Sequence, residues 1–169
     1  TPAIGVLTSI GREHLEFFET LEGVIREEGS IAEELPADGT LIVNGDTPGL
    51  DAIVARTRAR VIRCGTAATS DWRISNIRSD ATGSDFEVVG ATPEYCGTFR
   101  VNVLGHHMVV NATLALAVAA MVGVPANAAR AGLAACRPAR MRMNLHDFGG
   151  IRVLDDAYNA NPDSMIAAL

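Results

Sequence analysis

The sequence contains no lysine: all 14 of its basic residues are arginine. A phosphate-binding loop of the G-x-x-x-x-G-K-[ST] type ends in lysine, so this chain cannot contain one. Cysteine is sparse. Cys64, Cys96 and Cys136 are odd in number and widely spaced, which suits neither a disulfide framework nor a zinc site, and a reducing cytoplasm is the expected compartment. No apolar run has the length of a transmembrane helix, and no stretch has the pattern of a signal peptide. Positive charge is in deficit. The net charge of −6 argues against nucleic acid or an anionic membrane as the main partner.

What is present is an ordinary α/β composition, rich in Ala, Val and Gly, over 169 residues, enough for one domain with a sizeable core. Ala3 to Ile10 reads as a buried parallel strand, followed by the turn Gly11-Arg12-Glu13-His14. Leu15, Phe18, Leu21, Val24, Ile25, Ile31 and Leu35 fall near helical spacing, which predicts a helix from about His14 to Leu35. Gly23 and Gly29 weaken it, so two shorter helices are the alternative. Gly39 to Asn44 is a second strand, Asp46-Thr47-Pro48 caps a helix to about Arg58, and Ala59 to Cys64 is a third strand closed by Gly65. This βαβαβ order implies a parallel sheet with right-handed crossovers.

From Asp71 the pattern changes to short alternating runs at 73–77, 85–89 and 98–103, separated by turn residues such as Thr82-Gly83-Ser84, which predict a small antiparallel sheet. Gly105 to Met121 is an Ala-rich helix stopped by Gly123-Val124-Pro125, and a second helix runs from about Asn127 to Ala135. Arg137-Pro138-Ala139-Arg140 reads as a linker, and Met141 to Phe148 as a strand. There is no internal repeat. The chain begins within a strand-like run and stops within a helical one, so it is expected to be a piece of a longer protein. Residues 1–138 are expected to form one domain and 139–169 the start of another.

The densest polar stretch is Leu154-Asp155-Asp156-Ala157-Tyr158-Asn159-Ala160-Asn161-Pro162-Asp163-Ser164-Met165. It follows a β-branched strand at 151–154, and Asn161-Pro162-Asp163-Ser164 is a helix start with Asn as cap and Pro at the first position. Strand, polar turn and capped helix is how an open α/β sheet builds a ligand crevice. A plain βα turn is the alternative. Such a turn needs neither two Asp, nor a Tyr with two Asn, so the density points to a polar ligand.

Asp155 to Met165 closely resembles the motif that opens the C-terminal domain of the Mur ligases, in the form carried by the branch that adds D-alanyl-D-alanine to UDP-N-acetylmuramoyl-tripeptide. Other segments are similar to the same family. Thr8-Ser9-Ile10-Gly11-Arg12-Glu13-His14-Leu15 resembles T-N-I-G-x-x-H-L, with Ser9 in place of Asn; the resemblance implies that His14 helps hold magnesium. Val43-Asn44-Gly45-Asp46-Thr47-Pro48 is similar to V-N-x-D-D-P, with Thr47 for the second Asp. Gly105-His106-His107-Met108-Val109-Val110-Asn111-Ala112 resembles G-x-H-N-x-x-N-A, which implies an adenine-region role for Asn111. Pro138-Ala139-Arg140 is similar to the family's linker G-R, which implies that Arg140 meets ATP phosphates as a planar donor fork. Within the opening motif the resemblance implies ATP-site roles for Asp156, Tyr158, Asn159 and Asn161, with Asp156 on the ribose.

The largest departure is at Glu28, where the family carries a carbamylated lysine that bridges magnesium. Glu28 offers a carboxylate on a shorter stem; the alternative is a solvated helix face. The resemblance implies a fold with a parallel-sheet, ATPase-like central core and a small antiparallel sheet, followed by the first strand and helix of a Rossmann-like domain. It implies ATP and Mg2+ as cofactors, UDP-N-acetylmuramoyl-tripeptide and D-alanyl-D-alanine as partners, and amide bond formation through an acyl-phosphate in peptidoglycan precursor synthesis. Without the P-loop this chain alone is expected to be inactive. Two rivals stand beside that reading: a related ligase with another substrate, and a catalytically silent relative that binds nucleotide or a partner.

Overall fold

The apolar runs at 3–10, 39–44 and 59–65 become three parallel strands in the computed structural model, which describes residues 2–12, 15–90, 92–160 and 164–166, Glu16 by its backbone alone. These are β1 (Ile4–Leu7), β2 (Thr40–Asn44) and β3 (Arg60–Gly65), with Ile4 opposite Thr40 and Thr40 opposite Arg60. β2 is the central element. Leu41, Ile42 and Val43 are completely buried, and because side chains alternate along a strand they feed two cores: Ile42 one, Leu41 and Val43 the other.

The stretch predicted as one helix or two is three: α1 (Leu15–Phe18), α2 (Leu21–Glu28) and α3 (Ser30–Glu34). The first break is at Glu19, which takes a left-handed φ of 62°, and at Thr20, whose hydroxyl accepts from the Gly23 amide at 3.1 Å and caps α2. The second break is at Gly29. A Cβ there would come within 2.5 Å of both Arg56 Nη1 and the Ile25 carbonyl oxygen. The next helix, α4, is shorter than expected, Leu50–Val54. Asp46 does not cap it: the carboxylate accepts from the Thr66 amide at 2.8 Å and hydroxyl at 3.0 Å instead.

The antiparallel strands are β4 (Trp72–Asp80), β5 (Gly83–Val89) and β6 (Gly97–Val101). They do not stand apart from the parallel strands. β4 adds to β3 in parallel at Cys64–Trp72 and Gly65–Arg73, giving one six-stranded sheet in the order β1-β2-β3-β4-β5-β6. Parallel neighbours ordinarily need a long crossover. Here the overlap is confined to the end of β3, so a short excursion suffices, fastened by the Arg63 amide donating to Asp71 Oδ2 at 2.8 Å.

The long helix α5 (His106–Met121) lays Val109, Val110, Thr113, Leu114, Leu116 and Ala117 onto the core that contains Ile42, Trp72, Phe86 and Phe99. α1 to α4 belong to the core on the other face. α6 (Ala126–Ala135) leans on β6, with the Arg130 guanidinium 4.1 Å above the Phe99 ring. Beyond the linker, β7 (Asn144–Phe148) and β8 (Ile151–Asp155) pair antiparallel as a sheet of their own, joined by Gly149-Gly150. β7 starts at Asn144 rather than Met141 because Met141 and Met143 have left-handed backbones, φ 60° and 49°. Residues 164–166 are helical; the helix start expected at Asn161 lies outside the described residues. Among the described residues no helix is long and apolar enough to cross a membrane.

Candidate functional site

The linker is laced to the polar stretch that follows β8. Arg137 Nη1 donates to the carbonyl of Cys136 at 2.7 Å, closing the end of α6. Ala139 to Arg142 then turn, with the Arg142 amide on the Ala139 carbonyl at 3.1 Å and Asn144 Nδ2 on the Ala139 and Arg142 carbonyls at 2.6 and 3.0 Å. The two left-handed residues direct polar groups toward one place. The Met141 carbonyl accepts from the Tyr158 amide at 3.1 Å, and the Met143 amide donates to Asp156 Oδ1 at 3.1 Å. The Arg142 guanidinium lies 4.0 Å above the Tyr158 ring, a cation–π contact.

α5 begins at the other side of this junction. Gly105 has φ 103°, and its missing side chain leaves the space the His107 ring occupies: a Cβ there would be 2.5 Å from His107 Cε1. Desolvation against that backbone lowers the His107 pKa, His106 adds to the effect, and the charge of Asp156 opposes it. That influence of Asp156 on His107 shows two motifs distant in sequence, 105–111 and 154–159, brought to one junction. Asn111 sits half-buried in the second turn of α5, with Nδ2 3.8 Å from Met108 Sδ.

The structure therefore gathers Asp156 and Tyr158 with the start of α5, and puts Arg140, exposed, on the adjoining turn. Asn159 is exposed and its Oδ1 accepts from the Ala160 amide at 2.9 Å, a local turn bond. His14 and Asn161 lie outside the described residues. Glu28 is the exposed last residue of α2, in the helical layer on the opposite face of the sheet from α5, and is not brought to the linker. The cation placed at the end of α2 is Arg56, which donates to the Arg26 carbonyl at 3.0 Å and to Glu33 at 2.6 Å. Among the described residues no three His, Cys, Asp or Glu gather as a metal site.

Sequence reasoning passed over Arg142 and left His107 without a role. The signal for Arg142 was the second arginine of Arg140-Met141-Arg142, spaced so that one of the pair can reach Tyr158. A cleft of about 540 Å³ also runs along the linker, between Arg100, Asn102, Leu104, Pro138, Met143 and Leu145. Arg100 in that cleft is already held by Asp80 and Asp85 at 3.0 and 2.9 Å, and Asn102 by Arg100 and the Ala134 carbonyl.

The sequence pattern of the Mur ligase middle domain matches residues 1–119. The chain belongs to the Mur ligase family. It is 35% identical over 170 residues to the UDP-N-acetylmuramoyl-tripeptide–D-alanyl-D-alanine ligase of Mycobacterium tuberculosis H37Rv, covering 99% of this chain and 33% of that protein. It is also similar, at 33% identity, to the UDP-N-acetylmuramate–L-alanine ligase of a Caulobacter, covering 98% of this chain and 36% of the relative. Among solved structures, MurF from Acinetobacter baumannii superposes with a TM-score of 0.89 at 27% identity, covering 98% of this chain and 36% of that one. MurF from Thermotoga maritima, solved in complex with ADP, shares the fold with a TM-score of 0.83 at 22% identity, over 99% of this chain and 38% of that one. This Mur ligase chain spans about a third of the length of the curated relatives it matches. Its fold is the α/β fold of those ligases, with a parallel sheet extended by antiparallel strands.

Proposed function

We propose that this chain is the nucleotide-facing part of an ATP-dependent amide ligase, one that joins D-alanyl-D-alanine to UDP-N-acetylmuramoyl-tripeptide in the cytoplasm during peptidoglycan precursor synthesis. The observation that carries the reading is the meeting of Asp156 and Tyr158 with the start of α5 at the linker. A carboxylate, an amide side chain, an aromatic face and two arginines together suit a ligand that has hydroxyls, a flat base and phosphates. Asp156 accepts from the ribose hydroxyls, Asn111 meets the base, Tyr158 shapes the pocket, and Arg140 with Arg142 takes the phosphates. Asn159 and Asn161 complete the same pocket. The domain boundary falls at Pro138, supported by the separate sheet that β7 and β8 form.

In the reaction a carboxylate oxygen of the tripeptide attacks the γ-phosphorus of ATP and ADP leaves, giving an acyl-phosphate. The amine of D-alanyl-D-alanine then attacks the acyl carbon, phosphate leaves, and the amine proton passes to solvent. The protein's share is positioning and charge neutralisation. For magnesium, the described residues build no site of their own. Glu28, a lone exposed carboxylate at the negative end of a helix, fits as one ligand of an ion that keeps most of its waters and arrives with the phosphates; His14 is the second candidate. When bound, the ion neutralises charge on the transferred phosphoryl group.

A second reading is favoured by the L-alanine-adding relatives, whose identity to this chain equals that of the D-alanyl-D-alanine-adding ones to within a few percent. The test is phosphate release by a protein that carries this chain together with its own P-loop. Turnover is expected with UDP-N-acetylmuramoyl-tripeptide and D-alanyl-D-alanine. Turnover with UDP-N-acetylmuramate and L-alanine instead supports the second reading. Nucleotide binding without turnover on either pair leaves a silent relative and sinks the ligase reading.

A further inference from the structure

Met143 is an unfavourable residue for the backbone it adopts. A side chain with a Cβ seldom takes φ near 49°, and glycine would do so without cost. The conformation has a result that can be read directly. Met141 and Met143 are both left-handed and two residues apart, and both turn a polar group to the same short segment: the Met141 carbonyl to the Tyr158 amide, the Met143 amide to Asp156 Oδ1. An extended or right-handed residue at 143 would swing its amide away from Asp156. Among the described residues the Met143 amide is the one hydrogen-bond donor to the Asp156 carboxylate, and it leaves Oδ2 without a protein donor. The Met143 side chain is itself buried, 7% exposed, so the residue is anchored in place on the cleft side while its backbone faces Asp156. Strain of this kind persists where the surroundings over-determine it, and it gathers at sites that must be preorganised.

We infer that Met143 is a positioning residue: its left-handed backbone fixes one oxygen of Asp156 so that the other is presented to a vicinal diol of the ligand, the ribose of a nucleotide. The inference rests on the nucleotide reading above and adds to it the element that orients the carboxylate. The side chain of Met143 anchors the linker, and the backbone performs the orientation.

The test separates backbone from side chain. Met143→Gly and Met143→Asn both permit positive φ, although glycine deletes the whole side chain; Met143→Val keeps an apolar side chain and resists positive φ. Affinity for ADP and for 2′,3′-dideoxy-ADP is measured by calorimetry on the native chain and the three variants. The native chain is expected to favour ADP by about tenfold, the value of a hydrogen bond to a charged group. The Gly and Asn variants keep that ratio, and the Val variant lowers it to about one while still binding the dideoxy compound. Hydrogen exchange of the residue 143 amide, read without ligand, serves for a variant too weak to bind: slow in native, Gly and Asn, fast in Val. A ratio preserved in the Val variant, a ratio lost equally in Gly and Val, or equal amide protection in all four overturns the inference alone. A native chain that binds both compounds equally overturns it as well. A native chain that binds neither overturns the nucleotide reading, and this inference falls with it.

Discussion

At the scale of single residues, the sequence shows which groups are chemically able and the structure shows which are occupied. Asp46 was expected to cap a helix, yet its carboxylate is taken by Thr66, a residue 20 positions away. Its neighbour Thr47 is buried, and among the described residues its hydroxyl is the buried side-chain atom with no partner. Leaving a hydroxyl unpaired costs about 1–3 kcal/mol, and valine has the same shape without that group. Thr47→Val is therefore expected to raise stability by about 1 kcal/mol in urea unfolding; a loss of that size would mean the hydroxyl is engaged. Asp80 shows the opposite case. The Thr82 hydroxyl and amide, followed by Arg100, hold its pKa down from the ordinary 3.8 to about 2. A carboxyl depressed in this way stabilises the fold when ionised, so its contribution is whole above about pH 4 and disappears as the pH falls toward 2. Resonances at the β4–β5 tip should report that transition in an acid titration, and Asp80→Asn should abolish it.

At the scale of elements, periodicity located nearly every helix and strand, while their ends were decided by partners. The helical run at 14–35 was legible as helical, and Gly29 as a weak point in it. The break at Glu19 was not, because it depends on the Thr20 hydroxyl reaching Gly23. Thr20→Ala should cost about 1 kcal/mol, measured by chemical denaturation, since it removes the cap of α2. The β7–β8 hairpin was read from its sequence as strands of a larger sheet. In the structure it is two-stranded, with Phe148 64% and Ile151 68% exposed. An isolated hairpin is marginal in water. Amides of residues 144–155 should exchange far faster than those of β2, whose side chains are fully buried. Equal protection of the two would show that something covers the hairpin.

At the scale of the whole molecule, this chain alone should release no phosphate from ATP with either substrate pair, because it has no lysine and so no P-loop. Steady turnover by the purified chain would contradict that. The absence of lysine, the parallel βαβαβ order, the linker near Pro138 and the polar stretch after β8 were all set by local composition and period, and they are what the sequence by itself determined. Such features depend on residues close in the chain, whose steric and hydrogen-bonding preferences act without a partner. Tertiary structure alone decided that the antiparallel strands extend the parallel sheet through two rungs at Cys64 and Gly65. It alone made Arg142 the arginine that covers Tyr158, and brought Asp156 to Met143 and the start of α5. These are relations between groups far apart in sequence, fixed when packing closes the chain on itself, and no local preference of Met143 predicts the left-handed turn that makes one of them.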